Sequence, residues 1–181
     1  MRKSREDAAR TRKRIVSAAA AEFREHGVVA TGLADLMKAA GLTHGGFYKH
    51  FGSKDQLVAE AFAEALDALI RRLTDAGPGA TATYLSDWHR DNPGEGCPLS
   101  AIGSELARCD DNTRAVATAG FRKLVDLIAG RSDKPAPAAA RARTLVAVST
   151  MIGALTMARV VDDPKLSAEI LKEARKSLIE K

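Results

Sequence analysis

Along most of this chain, residues of like polarity return every third or fourth position, which is the repeat of a helix surface and not of a strand. Ile15, Ala19 and Phe23 fall on one such face; Leu57, Val58, Ala61, Phe62, Ala65, Leu69 and Ile70 make another. Ala, Leu, Arg, Glu and Lys carry the repeat, aromatics amount to only 4%, and strand-like alternation of Val, Ile, Thr and Tyr is absent. The pattern predicts an all-α protein. Its 181 residues are enough for one domain, or for a small domain fused to a larger one.

The net charge of +5 becomes informative once divided: residues 1–55 hold eleven Lys/Arg against six Asp/Glu, and residues 56–181 hold seventeen of each. An excess confined to the first third points to a nucleic-acid or anionic-membrane partner there, or to a merely solvated basic end. Two cysteines, Cys97 and Cys109, are too few for a disulfide framework. The N-terminus lacks the apolar stretch of a signal peptide, and the longest uncharged run, residues 144–158, is shorter than the roughly 20 residues of a membrane span. The expectation is a soluble cytoplasmic protein with no membrane partner.

Helix punctuation organises the basic third. Ser4 and Asp7 have capping-box spacing, and a first helix runs from there to His26, stopped by Gly27. A short second helix fits residues 32–40, capped by Thr31 or Gly32, with Leu33, Leu36 and Met37 inward and Gly41 at its end. Thr43 then caps a third helix whose Phe47 and Phe51, four apart, share a buried face, leaving His44, Gly45, Tyr48 and Lys49 on the other. Ser53 caps a fourth helix reaching about Thr74. Two helices joined by a tight turn behind a basic first helix make a helix-turn-helix. Gly45 and Gly46 each cost roughly 1 kcal/mol in a helix interior, so they serve either close approach of backbone to a duplex or tight helix packing. In the first case Thr43 and Tyr48 donate to phosphates, Lys49 and Lys54 add charge, and His44 meets base edges.

The stretches "TRKRIVSAAAAEFREHG" and "ATGLADLMKAAGLTHGGFYKHFGSKDQLVAEAF", within residues 11–66, resemble the DNA-binding region of the TetR family of transcriptional repressors. The resemblance covers a little under one third of the chain. It implies that Thr31, Thr43, Tyr48, His50 and Lys54 touch the DNA backbone, and that His44, Gly45 and Lys49 lie at the base edges or beside them. The family often has Lys or Arg where this chain has His44, and Thr, Ser or Ala where it has Gly46. A neutral His donates one hydrogen bond where Arg grips guanine with two, so the operator sequence does not carry over from relatives.

Beyond residue 74, "DAGPGATAT" reads as a linker and "RDNPGEG" as a second break, with a short helix holding Tyr84, Leu85 and Trp88 between them. A helix follows with Cys97 at its cap and Pro98 at its first position, then one with Val116, Ala117, Phe121, Leu124, Val125 and Ile128 that stops at Gly130. A Pro-rich connection leads to two final helices, about residues 138–161 and 164–180. The first of these holds Ser149 and Gly153 four apart, a spacing that permits close helix approach, either within the subunit or against a second copy. In TetR-like proteins such a pair forms the homodimer interface, and half-sites about 34 Å apart call for a dimer.

The resemblance also implies a pocket for a small-molecule effector among the helices of residues 53–130. Phe62, Tyr84, Trp88, Leu99, Ile102, Leu106 and Phe121 are candidate walls, or plain core. Cys97, at a helix N-terminus that favours the thiolate, is a candidate sensor of oxidants or electrophiles, with Cys109 as a resolving partner, or an inert buried cysteine. On one helix the two thiols stand about 18 Å apart. Asp87, His89 and Cys97 suggest no working triad, since nothing supplies an oxyanion hole, and no His or Cys spacing suits a metal. The expectation is therefore a homodimeric repressor, not an enzyme, with no cofactor or metal: residues 1–52 bind double-stranded operator DNA, and residues 53–181 sense an effector or thiol modification and dimerise. The alternative is a basic protein-interaction module without a specific operator.

Overall fold

The computed structural model describes residues 5–130 and 138–179, all helix, turn and loop. The Ser4 cap and the Pro-rich connection over residues 131–137 lie outside these bounds. Helix α1 spans Arg5–His26 and buries Ile15, Val16, Ala19, Ala20 and Phe23, the face that the periodicity predicts. Gly27, at φ 87°, ends it. Helix α2, Leu33–Ala39, takes Gly32 as its N-cap and buries Leu36 and Met37, while Leu33 is only partly covered. Gly41, at φ 66°, turns the chain into the next element.

That element, His44–Lys49, is a 3-10 helix where the sequence predicts an ordinary one. Gly46 N–H donates to Thr43 O at 3.1 Å and His50 N–H to Phe47 O at 2.9 Å, the short-range bonds of the tighter coil. Two glycines in six residues leave little intrinsic drive for a full α-helix, so the short piece takes the geometry its packing imposes. Ser53 then caps α3, Lys54–Ala76, by accepting from Gln56 N–H at 3.0 Å.

The expected linker is helical instead. A 3-10 turn, Gly77–Gly79, runs into α4, Ala80–Tyr84, and a separate α5 covers Asp87–Asp91. One helix through Tyr84, Leu85 and Trp88 is therefore not formed, because Ser86 leaves the helical region and caps His89 N–H at 3.2 Å. After a 3-10 turn at Pro93–Glu95 come α6, Pro98–Leu106, and α7, Asp111–Ile128, the latter capped by Asp110. Helices α8, Ala138–Val160, and α9, Pro164–Ile179, close the chain.

Helix α3 is the spine. It packs on α1 at one end and on α7 along its length, burying Leu57, Val58, Ala61, Phe62, Ala65, Leu66, Leu69 and Leu73. The α3–α7 crossing is close because Gly120 has no side chain: a Cβ there would lie 2.3 Å from Leu66 Cδ2. One continuous core runs from Phe47 and Phe51 near the helix-turn-helix to Leu155 and Leu171 in the final pair.

Candidate nucleic-acid interface

Phe47 is fully buried and stacks on Phe51, centroids 5.5 Å apart. This apolar anchor sets which way the 3-10 helix faces. Thr43, His44, Gly45, Tyr48 and Lys49 are all exposed on its other side, Tyr48 at 69%. The two glycines part company here. A Cβ on Gly45 would meet nothing within 4 Å, whereas one on Gly46 would touch Met37 Cε at 3.4 Å. Gly45 leaves an open outer surface, and Gly46 belongs to the packing against α2.

The anchor is braced from α1, in a way the sequence reading missed. Arg12 pairs with both oxygens of Glu60 on α3, donates from Nε to His50 O at 3.2 Å and lies 4.4 Å over the Phe51 ring. The Glu60 bonds hold its guanidinium pKa above the ordinary arginine value. Arg14 Nη2 donates to Ala40 O at 2.7 Å, closing the C-terminus of α2. The basic stripe of α1 was legible as charge, but a bond to a backbone carbonyl leaves no mark in a sequence.

Three candidate contacts are engaged within the fold. Thr31 is buried, and its hydroxyl donates to Gly27 O at 2.5 Å. Lys54 Nζ donates to Val28 O at 2.6 Å and Thr31 O at 2.7 Å, and stands 6.0 Å over Phe23. In this structure Thr31 closes the α1–α2 turn on itself and Lys54 ties that turn to the start of α3. His50 is half-buried, and its carbonyl is the acceptor for Arg12. Glu105 of α6 adds a further tie, accepting Val29 N–H at 2.8 Å.

Most of the candidate pocket walls are packed side chains. Phe62 and Ile102 line a void between α1, α3 and α6 with no room for water; Tyr84 and Leu106 are buried in the core, and Leu99 and Phe121 are partly covered. Trp88 is 46% exposed beneath the Arg72 guanidinium, 4.7 Å from its ring centre. Helical spacing marks these side chains as inward but does not say whether the facing surfaces leave space. The open cleft of this region lies elsewhere, about 900 Å³ between the end of α1, α5, α6 and the α8–α9 turn.

The expected Cys97 thiolate is corrected by burial. Cys97 does cap α6, but it is fully enclosed, and desolvation pushes its thiol pKa up, outweighing the hydrogen bonds that would lower it. Cys109 is half-buried, with its pKa raised by desolvation and then by Asp55, Asp110 and Glu105. It lies past the end of α6, so the two are not on one helix. Around Cys97 sits a polar cluster with no sequence signature. His89 Nε2 accepts Cys97 N–H at 2.7 Å and Nδ1–H donates to Tyr84 O at 2.7 Å, which assigns the neutral tautomer. Desolvation, assisted by the charges of Arg159, Arg72 and Arg24, lowers the His89 pKa to about 4. The Tyr84 hydroxyl is buried beside Cys97 and Ser100, and desolvation, then the Cys97 thiol, raise its pKa.

Helix α8 buries Val148, Met151, Leu155 and Ala158 on one face. On another it exposes Val146, Ser149, Gly153, Met157 and Val160, with Val146 at 66% and Val160 at 67%. By length and composition this 23-residue helix is apolar enough to cross a bilayer, which the shorter uncharged run did not suggest. Its buried face, and Thr156 Oγ1 donating to Ser100 O at 3.0 Å, seat it in the helical core.

Buried aromatics behind an exposed, basic-flanked turn of helix, on an all-helical body, define a helix-turn-helix regulator fold. The family profile "Bacterial regulatory proteins, tetR family" matches residues 15–61. Residues 15–61 therefore carry the helix-turn-helix region of the TetR family of transcriptional regulators. Over 58 residues it is 43% identical to the HTH-type transcriptional regulator TtgR of Pseudomonas putida, 32% of this chain and 28% of that one. Over 64 residues it is 39% identical to the HTH-type transcriptional repressor KstR2 of Mycobacterium tuberculosis, 35% and 32% of the two chains. These matches thus span about a third or less of the curated relatives. A TetR transcriptional regulator from Chloroflexus aurantiacus superposes with TM-score 0.73 at 26% identity, covering 97% of this chain and 95% of that one. The reduced form of Escherichia coli NemR shares the fold at TM-score 0.75 and 19% identity, over 94% and 96%.

Proposed function

We propose that this chain is a cytoplasmic, homodimeric repressor that binds a palindromic operator and is released by a small-molecule effector. The observation that carries the reading is the exposed row Thr43, His44, Gly45, Tyr48 and Lys49 on a helix held from behind by Phe47 and Phe51. A rigid, small-residue surface is what a major groove admits, with hydroxyls and ammonium for phosphates and an imidazole for a base edge. Thr31, His50 and Lys54 complete the proposed set of backbone contacts; for Thr31 and Lys54 this requires the α1–α2 turn to share their donors with a phosphate.

The exposed stripe on α8 supports dimerisation with α9, since apolar side chains flanking Ser149 and Gly153 let two helix backbones approach closely. An effector acts by preferring the conformation with the wrong spacing between reading heads. Release by thiol modification would first need the start of α6 to open around Cys97, so the reading is a non-covalent ligand. Fluorescence anisotropy on DNA flanking the protein's own gene, with competitor DNA present, tests the function. Competitor-resistant binding that Cys97→Ser preserves is expected. Equal affinity for every duplex would instead favour a basic module with no operator.

A further inference from the structure

The open cleft between α1, α5, α6 and the α8–α9 turn has an unusual charge arrangement. Arg24 and Arg159 are half-buried in it, and neither has a carboxylate partner among the described residues. Arg24 spends Nε and Nη2 on one acceptor, Gly94 O. Arg159 donates to Arg90 O at 3.0 Å, Ser100 Oγ at 3.2 Å and His89 O. Their hydrogen bonds go to neutral oxygens, while Glu95 and Glu64 act on Arg24, and Glu25 and Asp91 on Arg159, as neighbouring charges without a direct ion pair. Four acids also line the cleft, all exposed at its rim. Asp87 and Asp91 are taken by Arg90 at 3.0 and 2.7 Å, and Glu25 accepts Gly94 N–H at 2.9 Å. Asp162 sits on the α8–α9 turn.

Half-buried cations over a cleft of this size suit an anionic group, which can replace neutral acceptors with a charge-assisted pair. The acidic rim disfavours ligands with several negative charges. We infer that this cleft binds a small organic monoanion, its acid group on Arg24 and Arg159 and its apolar part against Ala101, Val160 and Pro164. The site bears on α1 directly. Gly94 is gripped from α1 by Arg24 through its carbonyl and by Glu25 through its N–H. An anion competing for Arg24 weakens that grip, and α1 carries Arg12, the brace of the DNA-reading helix. The inference rests on the regulator reading for its effect on DNA, and on the cleft alone for binding.

Isothermal titration of the full chain with benzoate, benzamide and benzene-1,3,5-tricarboxylate tests it. Benzoate should bind saturably in the millimolar range, and the neutral amide and the trianion at least tenfold more weakly. Arg24→Gln should cost about tenfold; Ala168→Trp, which fills the cleft and keeps both arginines, should do the same. Melting curves report whether each variant folds, and if Arg24→Gln does not, Ala168→Trp decides. Absent benzoate binding, equal binding of the amide, or benzoate binding that ignores Ala168→Trp overturns the site. Operator anisotropy with benzoate separates the two ideas. Benzoate binding without any effect on operator affinity overturns the coupling, whereas benzoate binding by a protein that binds no operator overturns the regulator reading and leaves the site standing.

Discussion

His89 keeps its ring neutral because burial strips water from a charged ring, and because charging it would put a proton on Nε2, where Cys97 N–H already points, near Arg159, Arg72 and Arg24. The unfolded chain takes up that proton near pH 6.5 and the folded chain only near 4, so acid favours unfolding between those values. Stability should fall by about 2 kcal/mol from pH 7 to pH 5. Urea denaturation at the two pH values measures this, and His89→Gln should flatten the difference. Cys97 behaves in the same spirit: a buried thiol with a raised pKa should resist iodoacetamide at pH 7 until the protein is unfolded, and labelling at the rate of a free thiol would show the α6 start to be open. On the DNA side, His44→Ala should reorder preference among operators. Lys49→Ala and Tyr48→Phe should instead weaken all duplexes about equally, and Lys49→Ala should also reduce the salt dependence of binding. Competition titrations against operator variants distinguish the two patterns, and a uniform loss from His44→Ala would remove it from base reading.

At the scale of elements, glycines in two helices make opposite predictions. Gly120→Ala drives a methyl into Leu66 and Phe62 at the α3–α7 crossing and should destabilise by about 1–3 kcal/mol, read from the denaturation midpoint. Gly45→Ala meets open space and replaces a poor helix former, so it should stabilise the fold by up to about 1 kcal/mol. If the backbone at Gly45 approaches a duplex, the same change should lower operator affinity. A variant more stable and weaker on DNA would show that Gly45 is kept for contact; unchanged affinity would leave it as a conformational convenience. Both glycines were visible in the sequence, but only Gly45 stood out there. Gly120 sits in a helix with many small residues, and its role depends on which side chains of α3 lie opposite.

For the whole molecule the open question is the partner of α8. Gly153→Glu places a charge in the middle of the exposed stripe without touching the buried face. Sedimentation should show a shift from dimer to monomer, with operator affinity falling at least tenfold because one half-site no longer helps hold the other. A variant that stays dimeric would move the interface elsewhere. Much of this organisation could be read from the chain: residue periodicity, Gly27, Gly41 and Gly130 as stops, Ser53 as a cap, and the aromatic pair behind the reading helix are local signals, governed by neighbours three or four residues away. The sequence by itself determined the helical class, the basic head and the row His44, Gly45, Tyr48 and Lys49 opposite the aromatic pair. Tertiary structure alone decided that Cys97 is sealed, that Thr31 and Lys54 bind the α1–α2 turn, that Phe62, Tyr84, Ile102 and Leu106 are packed in the core, and that two arginines 135 positions apart line one cleft. Burial, cavities and charge pairing are sums over distant partners, and no local spacing records them.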